Sequence, residues 1–256
     1  MTLDPDKLFS SSAKMKINFA LSIIVILYWS VNYFSWTVLL LGLLSYYTIG
    51  KIGGDVALHR YFSHRSFKTS NFWDKVLKFI SFIVGHGSQF LWVITHRVHH
   101  KDSDTVDDPH PPAIAGNLKI FLRTWSSDFV PSAKYGKDII RDTEIMFIHK
   151  HYFKLFYLWL VVLSMFGIYP LLLLFAFPCF GFFLETGIVN IVGHGHGYRT
   201  YNTPDHSTNN IILNALTIGN GMHNTHHCYQ SSYTTDIRNK WYEFDLMKYF
   251  IHAIRT

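Results

Sequence analysis

Two long apolar windows divide the chain. Between Lys16 and Lys51 there is no Asp, Glu, Lys or Arg, and between Lys154 and Arg199 there is only Glu185. Each window exceeds the ~20 apolar residues that cross a bilayer once, and each is interrupted near its middle. The first breaks at Ser30–Ser35, around Asn32, and the second at Gly167–Pro170, so each predicts a hairpin of two helices. The predicted spans are about 15–33, 36–57, 153–168 and 170–193. To reach ~20 residues the second must continue past Lys51 and the Gly53–Gly54 pair, which brings His59 out just beyond its end. Both hairpins return the chain to the side where it began. The remainder, 58–152 and 194–256, is polar or mixed and reads as a cap on one membrane face. No linker interrupts it, so 1–256 is predicted to be a single all-α integral membrane domain.

Three further stretches refine this picture. Trp73 to Thr95 is mostly apolar but contains Lys75, Lys78, Gly85, His86 and Gly87, which favours a helix lying at the interface over a further crossing. A crossing there would also put the histidines on either side of it on opposite membrane faces. Asp102 to Pro112 is a polar, Pro-bearing loop, and the tail KWYEFDLMKYFIHAI reads as an amphipathic helix. Met1 to Lys16 has no short apolar core with a small-residue cleavage site behind it, so it is read as part of the mature protein.

Composition agrees with the windows: hydrophobic residues are 49% and charged residues 16%, well under the usual quarter of a soluble domain. The net charge of +6 would suit nucleic acid, but every Lys and Arg lies outside the apolar windows. That is the cytoplasmic bias of membrane proteins, so no nucleic-acid partner is expected and the cap is placed on the cytoplasmic face. Cys179 sits in an apolar run and Cys228 follows a histidine triplet; both are read as structural and unpaired, in a reducing compartment.

The chemistry lies in the sixteen histidines. His96, His99 and His100 stand at i, i+3 and i+4, so on a helix their rings share one face. His223, His226 and His227 repeat that spacing, and His59 and His64 form a looser pair. Five residues apart, these two would stand about 140° apart on a regular helix at ~100° per residue. They can share a site only if the cluster lies between them or the helix loosens there. Asn190 and His194 are i, i+4 at the end of the last window and face one way. Nine imidazoles are too many for one ion and suit two ions with four or five ligands each, with Asn190 in reach through water. Imidazole suits iron, zinc, copper and nickel alike. A closed structural zinc site usually has Cys at ligand spacing, and a zincin has HExxH; neither is present. A two-metal, all-nitrogen site at a membrane face suits iron-dependent oxygen chemistry on an apolar substrate.

HRYFSH, HRVHH and HNTHH resemble the three histidine boxes, HxxxxH, HxxHH and HxxHH, of the membrane-bound fatty acid desaturases, most closely the Δ9 acyl-CoA and acyl-lipid branch. HRYFSHRSFKT, WVITHRVHHKDSDTVDDPH and NxxxHGxGYRTY, followed by NN and GNGMHNTHHCYQ, extend the resemblance from about Gly53 to Tyr249. It implies four spans with a cytosolic cap, two Fe2+ ions held by the histidines, O2 as co-substrate, and removal of two hydrogens from adjacent methylenes of an acyl chain. The implied ligands are His59, His64, His96, His99, His100, His194, His223, His226 and His227, with Asn190 through water. Trp92 resembles an aromatic that lines the acyl tunnel. The implied partners are the bilayer, an acyl substrate on CoA, lipid or carrier protein, and a separate electron donor such as ferredoxin or cytochrome b5. Two departures stand out. The family's GEG plus aromatic before the third box is Gly219, Asn220, Gly221, Met222 here, so a carboxylate near the metals is missing from that turn. The Arg-Asp pair of the animal acyl-CoA enzymes is Ile94 and Thr95, which argues against CoA recognition of that kind.

Other residues carry weaker signals. Asp107, Asp108 and His110 fit a loop supporting the metals better than direct ligation. His86 and His196 read as satisfied polar residues, and His149, His151, His206 and His252 as solvated. Glu185 is the lone acid in an apolar span and is a functional candidate on that ground. The rivals to a desaturase are a lipid hydroxylase or ketolase with the same metals, and a His-rich membrane metal-binding or transport protein. Transporter ligands should lie at mid-membrane, whereas these clusters follow the span ends.

Overall fold

The structure, a computed structural model, describes residues 5–123 and 132–256. Among these every regular element is helical, and strand-like pairing is confined to isolated bridges. In chain order the elements are α1 Pro5–Asn32, α2 Trp36–Ser63, α3 Asn71–Ile83, α4 Gln89–Asp102, α5 Pro112–Ala115, α6 Asn117–Arg123, α7 Thr143–Met165, α8 Ile168–Gly193, α9 Ile211–Thr217, α10 His223–Cys228 and α11 Met247–Ile254.

Among the described residues, three helical segments are long and apolar enough to cross a membrane: Met15–Asn32, Trp36–Ser63 and Ile168–Gly193. Helix breaks fall at both predicted positions. α1 ends at Asn32 and α2 begins at Trp36; α7 ends at Met165 and α8 begins at Ile168. α7 spans 23 residues, but Glu144, Lys150 and Lys154 make its first half polar, and its apolar run begins only at Leu155. The outward faces of these helices expose Val31, Leu40, Met165 and Phe166, which suits a lipid surround. Their inward faces bury Trp29, Phe156, Leu172 and Phe175 in one apolar core.

A second core lies under the cap, where Val56, Phe62, Leu77, Val93 and Ile251 come together from α2, α3, α4 and α11. The stretch from Trp73 to Thr95 is two helices, not one. Gly85 and Gly87 turn the chain between them at φ of 84° and 82°, a backbone region that glycine enters without strain. Ser88 then caps α4 by accepting from the Leu91 N–H at 3.4 Å.

Two expectations are corrected. α2 does not end before His59; it continues to Ser63, so both His59 and the approach to His64 are helical. The tail is helical only from Met247, because Asp245 is fully buried and accepts from Thr235, Met247 and Arg60, which holds the preceding residues in an irregular turn.

Candidate metal centre

α2 solves the spacing problem of its two histidines by widening. Ile52–Ser63 is π-helical, and the His64 N–H donates to the His59 carbonyl at 3.1 Å, an i to i+5 bond. This brings the two ring centroids to 4.9 Å. The carbonyls that a helix leaves free at its C-terminus are taken by Arg97 of α4, whose guanidinium reaches Phe62 O at 2.9 Å and Ser63 O at 2.8 Å. The same fork grips Asp138 at 2.7 and 2.8 Å, so the arginine inside the second box fixes α4 against α2.

All nine predicted histidines come together, and they divide into two groups. His59, His64, His96, His100 and His226 form the first; His99, His194, His223 and His227 form the second. Each triplet serves both groups, in opposite senses. On α4 the i, i+4 pair His96 and His100 faces the first group and His99 the second. On α10 the pair His223 and His227 faces the second and His226 the first.

The Nε2 atoms converge. His59–His226 and His64–His96 are 2.9 Å apart, and His100–His226 3.0 Å; His194–His223 and His223–His227 are 2.9 and 3.1 Å. Two imidazoles bound at right angles to one ion by ~2.1 Å bonds would stand about 3.0 Å apart.

The opposite ring nitrogens explain why these contacts call for a cation. His59 Nδ1 faces Asp55 at 3.1 Å, His99 Nδ1 faces both oxygens of Asp108 at 3.0 Å, and His194 and His227 Nδ1 meet Asp104 and Asp205 at 2.8 Å. A carboxylate there keeps the proton on Nδ1 and leaves the Nε2 lone pair bare. In the first group His226 Nε2, and in the second His223 Nε2, lies between two other Nε2 atoms and can donate to only one of them, and His99 Nε2 is buried with no hydrogen-bond partner. A cation at each focus relieves these contacts, so the donor set fits two metal ions.

Burial sets the protonation states in the same direction. It pushes His227 down to about 4 against the pull of Asp205, and together with the neighbouring rings it holds His96, His100, His223 and His226 well below the usual imidazole range. Burial works upward on Asp108 and Asp205, but His99 and His227 outweigh it and keep both carboxyls ionised. At neutral pH His96, His100, His223, His226 and His227 are therefore neutral and able to ligate.

A cavity of about 70 Å³ opens in front of the rings, lined by His59, His96, His223 and His226 together with Trp92, Phe182, Val189, Asn190 and Glu185. Trp92 stacks on His96 with centroids 4.7 Å apart. Asn190 is on the cavity wall, its amide donating to Thr186 O at 2.8 Å.

The remaining candidates fall outside the centre or behind it. Asp108 stands behind His99, as expected, whereas Asp107 is exposed. His110 is buried with its ring 4.3 Å from His99. His86 is a buried residue bonded through Nε2 to Cys179 O at 3.2 Å, but its Nδ1 has no hydrogen-bond partner, so it is only half satisfied; His196, His206 and His252 are exposed. His149 is not solvated: it is half-buried and bonded to Ser88 Oγ at 2.7 Å. His151 is also half-buried, its ring 4.9 Å from Phe147. Both cysteines are free. Asp55, Asp104 and Asp205 lie outside the histidine boxes, and only Asp55, four residues before His59 on one helix face, carries a local signal in the sequence.

Membrane-length helices together with two all-imidazole clusters that could hold metal define a class of helical proteins with a candidate metal centre beside their apolar spans. Within that class the chain belongs to the fatty acid desaturase family, whose model matches residues 34–248. It is therefore an oxidoreductase acting on acyl chains. Among curated relatives, it is 32% identical over 223 residues to an sn-1 stearoyl-lipid 9-desaturase of Anabaena variabilis, covering 83% of this chain and 79% of that one. It is 30% identical over 226 residues to the acyl-CoA 5-desaturase AL21 of Anemone leveillei, covering 86% and 70%. A hex-5-enoyl-[acyl-carrier protein] acetylenase of Moorena producens is 29% identical over 227 residues, covering 80% and 70%.

Proposed function

We propose that this protein introduces a cis double bond, at the Δ9 position, into a saturated acyl chain, with both histidine groups loaded with iron. The observation that carries the reading is the division of nine imidazoles into groups of five and four with convergent Nε2 atoms. His59, His64, His96, His100 and His226 would hold one Fe2+, and His99, His194, His223 and His227 the other, with Asn190 in reach through water. When bound, the iron pair would supply O2 reduction: one O2 takes up the two hydrogens removed together with two electrons and two protons, leaving an alkene and two waters.

The chain's own residues hold and shield. Asp55, Asp104, Asp108 and Asp205 keep a proton on Nδ1 of their histidines and thereby fix ring orientation. Trp92, Phe182 and Val189 flank the acyl chain and exclude water from the reacting carbons. A volume of about 70 Å³ takes roughly two groups of water size, the scale of two adjacent methylenes. No side-chain general base is required.

The sn-1 stearoyl-lipid 9-desaturase relative supports an acyl-lipid substrate, and Ile94 and Thr95 before the second box agree with it. A separate donor of the ferredoxin or cytochrome b5 kind supplies the electrons. In this reading α7 is the third of four spans, its polar first half lying at the membrane surface. Residues 1–256 form one domain with the cap on the cytoplasmic face.

The test is expression in a host lacking unsaturated fatty acids, with mass spectrometry that localises double bonds, beside a His226→Ala control. New monounsaturated chains that vanish in the control are expected. Hydroxylated or oxo products would instead make the enzyme a lipid hydroxylase or ketolase.

A further inference from the structure

The proposed reaction leaves one buried cluster without a task. Glu185, the only acid in α8, is buried and fully engaged: Lys51 Nζ donates to Oε1 at 2.6 Å, Asn220 Nδ2 donates to the same oxygen at 2.7 Å, and Tyr46 OH donates to Oε2 at 2.7 Å. Lys51 is completely inaccessible and stands 3.3 Å from Asp55, whose other oxygen faces His59 Nδ1 at 3.1 Å. Charges buried this deeply in membrane-length helices are costly unless each is paired, and here each is.

The connections of Glu185 are more informative than its burial. Through Lys51 and Asp55 it reaches His59 on α2. Through Asn220 it reaches the turn that leads into α10, which carries His223 of the second group as well as His226 of the first. His59 and His226, whose Nε2 atoms are 2.9 Å apart, both belong to the first group, and none of these contacts touches a ring of the second group. We infer that Glu185 is a positioning residue for the first metal group: it supplies from α8 the carboxylate missing from the turn at Asn220, and it fixes His59 and His226 relative to one another. This inference rests on the two-metal reading above, but its readout does not require product.

The purified, iron-loaded protein tests it in four forms: wild type, Glu185→Gln, Asn220→Glu, and the two substitutions together. Asn220→Glu alone sets two carboxylates against each other at a 2.7 Å contact, and Glu185→Gln alone strips Lys51 of one partner. In each single variant iron is expected to fall from two per chain toward one. Turnover should drop about 10- to 100-fold with KM within about twofold, the range seen when a group supporting a ligating histidine is lost. Combined, the substitutions return a carboxylate to the same contact from the other side, and both iron and turnover should recover to within a few-fold of wild type. A purely structural ion pair would instead lose both irons together, and the double variant would be no better than the singles. Either result overturns the inference, as does a single variant that retains two irons. Wild type that holds two irons but forms no unsaturated product would overturn the functional reading and leave the stoichiometric test of Glu185 standing.

Discussion

The histidines are set as ligands by the groups behind them. Asp205 is a clear case: it bonds His227 Nδ1 at 2.8 Å and is itself held by the Ser207 N–H at 2.9 Å. Asp205→Asn keeps the shape but removes the charge that favours Nδ1–H, so metal affinity or turnover should fall about 10- to 100-fold. Iron content and kcat measured together check it, and a variant with both unchanged would refute it. Asp138 acts at one remove, through Arg97 and the end of α2. Burial works against its ionisation, but the Arg97 hydrogen bonds outweigh it and hold its carboxyl below the usual carboxylate range. A depressed folded pKa stabilises the protein above the ordinary Asp value near 3.9, and that contribution is lost as pH falls through the folded value. Asp138→Asn should therefore cost stability at neutral pH and flatten the acid limb of the unfolding profile. The nine histidines were legible because ligation imposes a spacing on the sequence. Asp104 and Asp205 were not, because they meet His194 and His227 across loops whose path no local pattern dictates.

At the scale of elements, the widened end of α2 matters most. A helix reading at ~100° per residue separates His59 from His64, and only the i to i+5 register observed at Ile52–Ser63 reunites them. The sequence posed that problem without naming its solution, since no residue type marks a π register by itself. The register also brings Gly53 against the end of α3, where a Cβ would meet Ile80 O at 2.8 Å as well as the Val84 side chain. A backbone oxygen cannot rotate aside, so Gly53→Ala should force α2 and α3 apart at a cost of about 1–3 kcal/mol. Thermal unfolding in detergent would register this as a lower midpoint. An unchanged midpoint would mean that the helices separate freely. The apolar windows, by contrast, announced α1, α2 and α8 with their breaks, because the bilayer requirement is one of length and composition alone.

At the scale of the whole molecule, the last helix ties the segment after the first box into the cap core. Thr256 N–H donates to Lys68 O at 3.0 Å, and Thr69 Oγ1 donates to Ile254 O at 2.6 Å, so the chain end closes on the segment just after the first box. Ile251 and Ile254 of α11 sit in the cap core with Val56, Phe62 and Leu77, whereas His252 between them is exposed. That face distribution sets the final prediction. Ile251→Ala leaves a cavity beneath α11 and should cost about 2–5 kcal/mol. His252→Ala, one residue along on the outer face, should be neutral within about 0.5 kcal/mol. If α11 closes the cap over the first box, Ile251→Ala should also release iron at lower temperature than wild type, because α2 is what the helix packs against. Thermal melts followed by both protein unfolding and iron release distinguish the cases. Coincident shifts in Ile251→Ala and none in His252→Ala are expected. A lowered unfolding midpoint with unchanged iron release would show that α11 stabilises the cap without bearing on the metal centre.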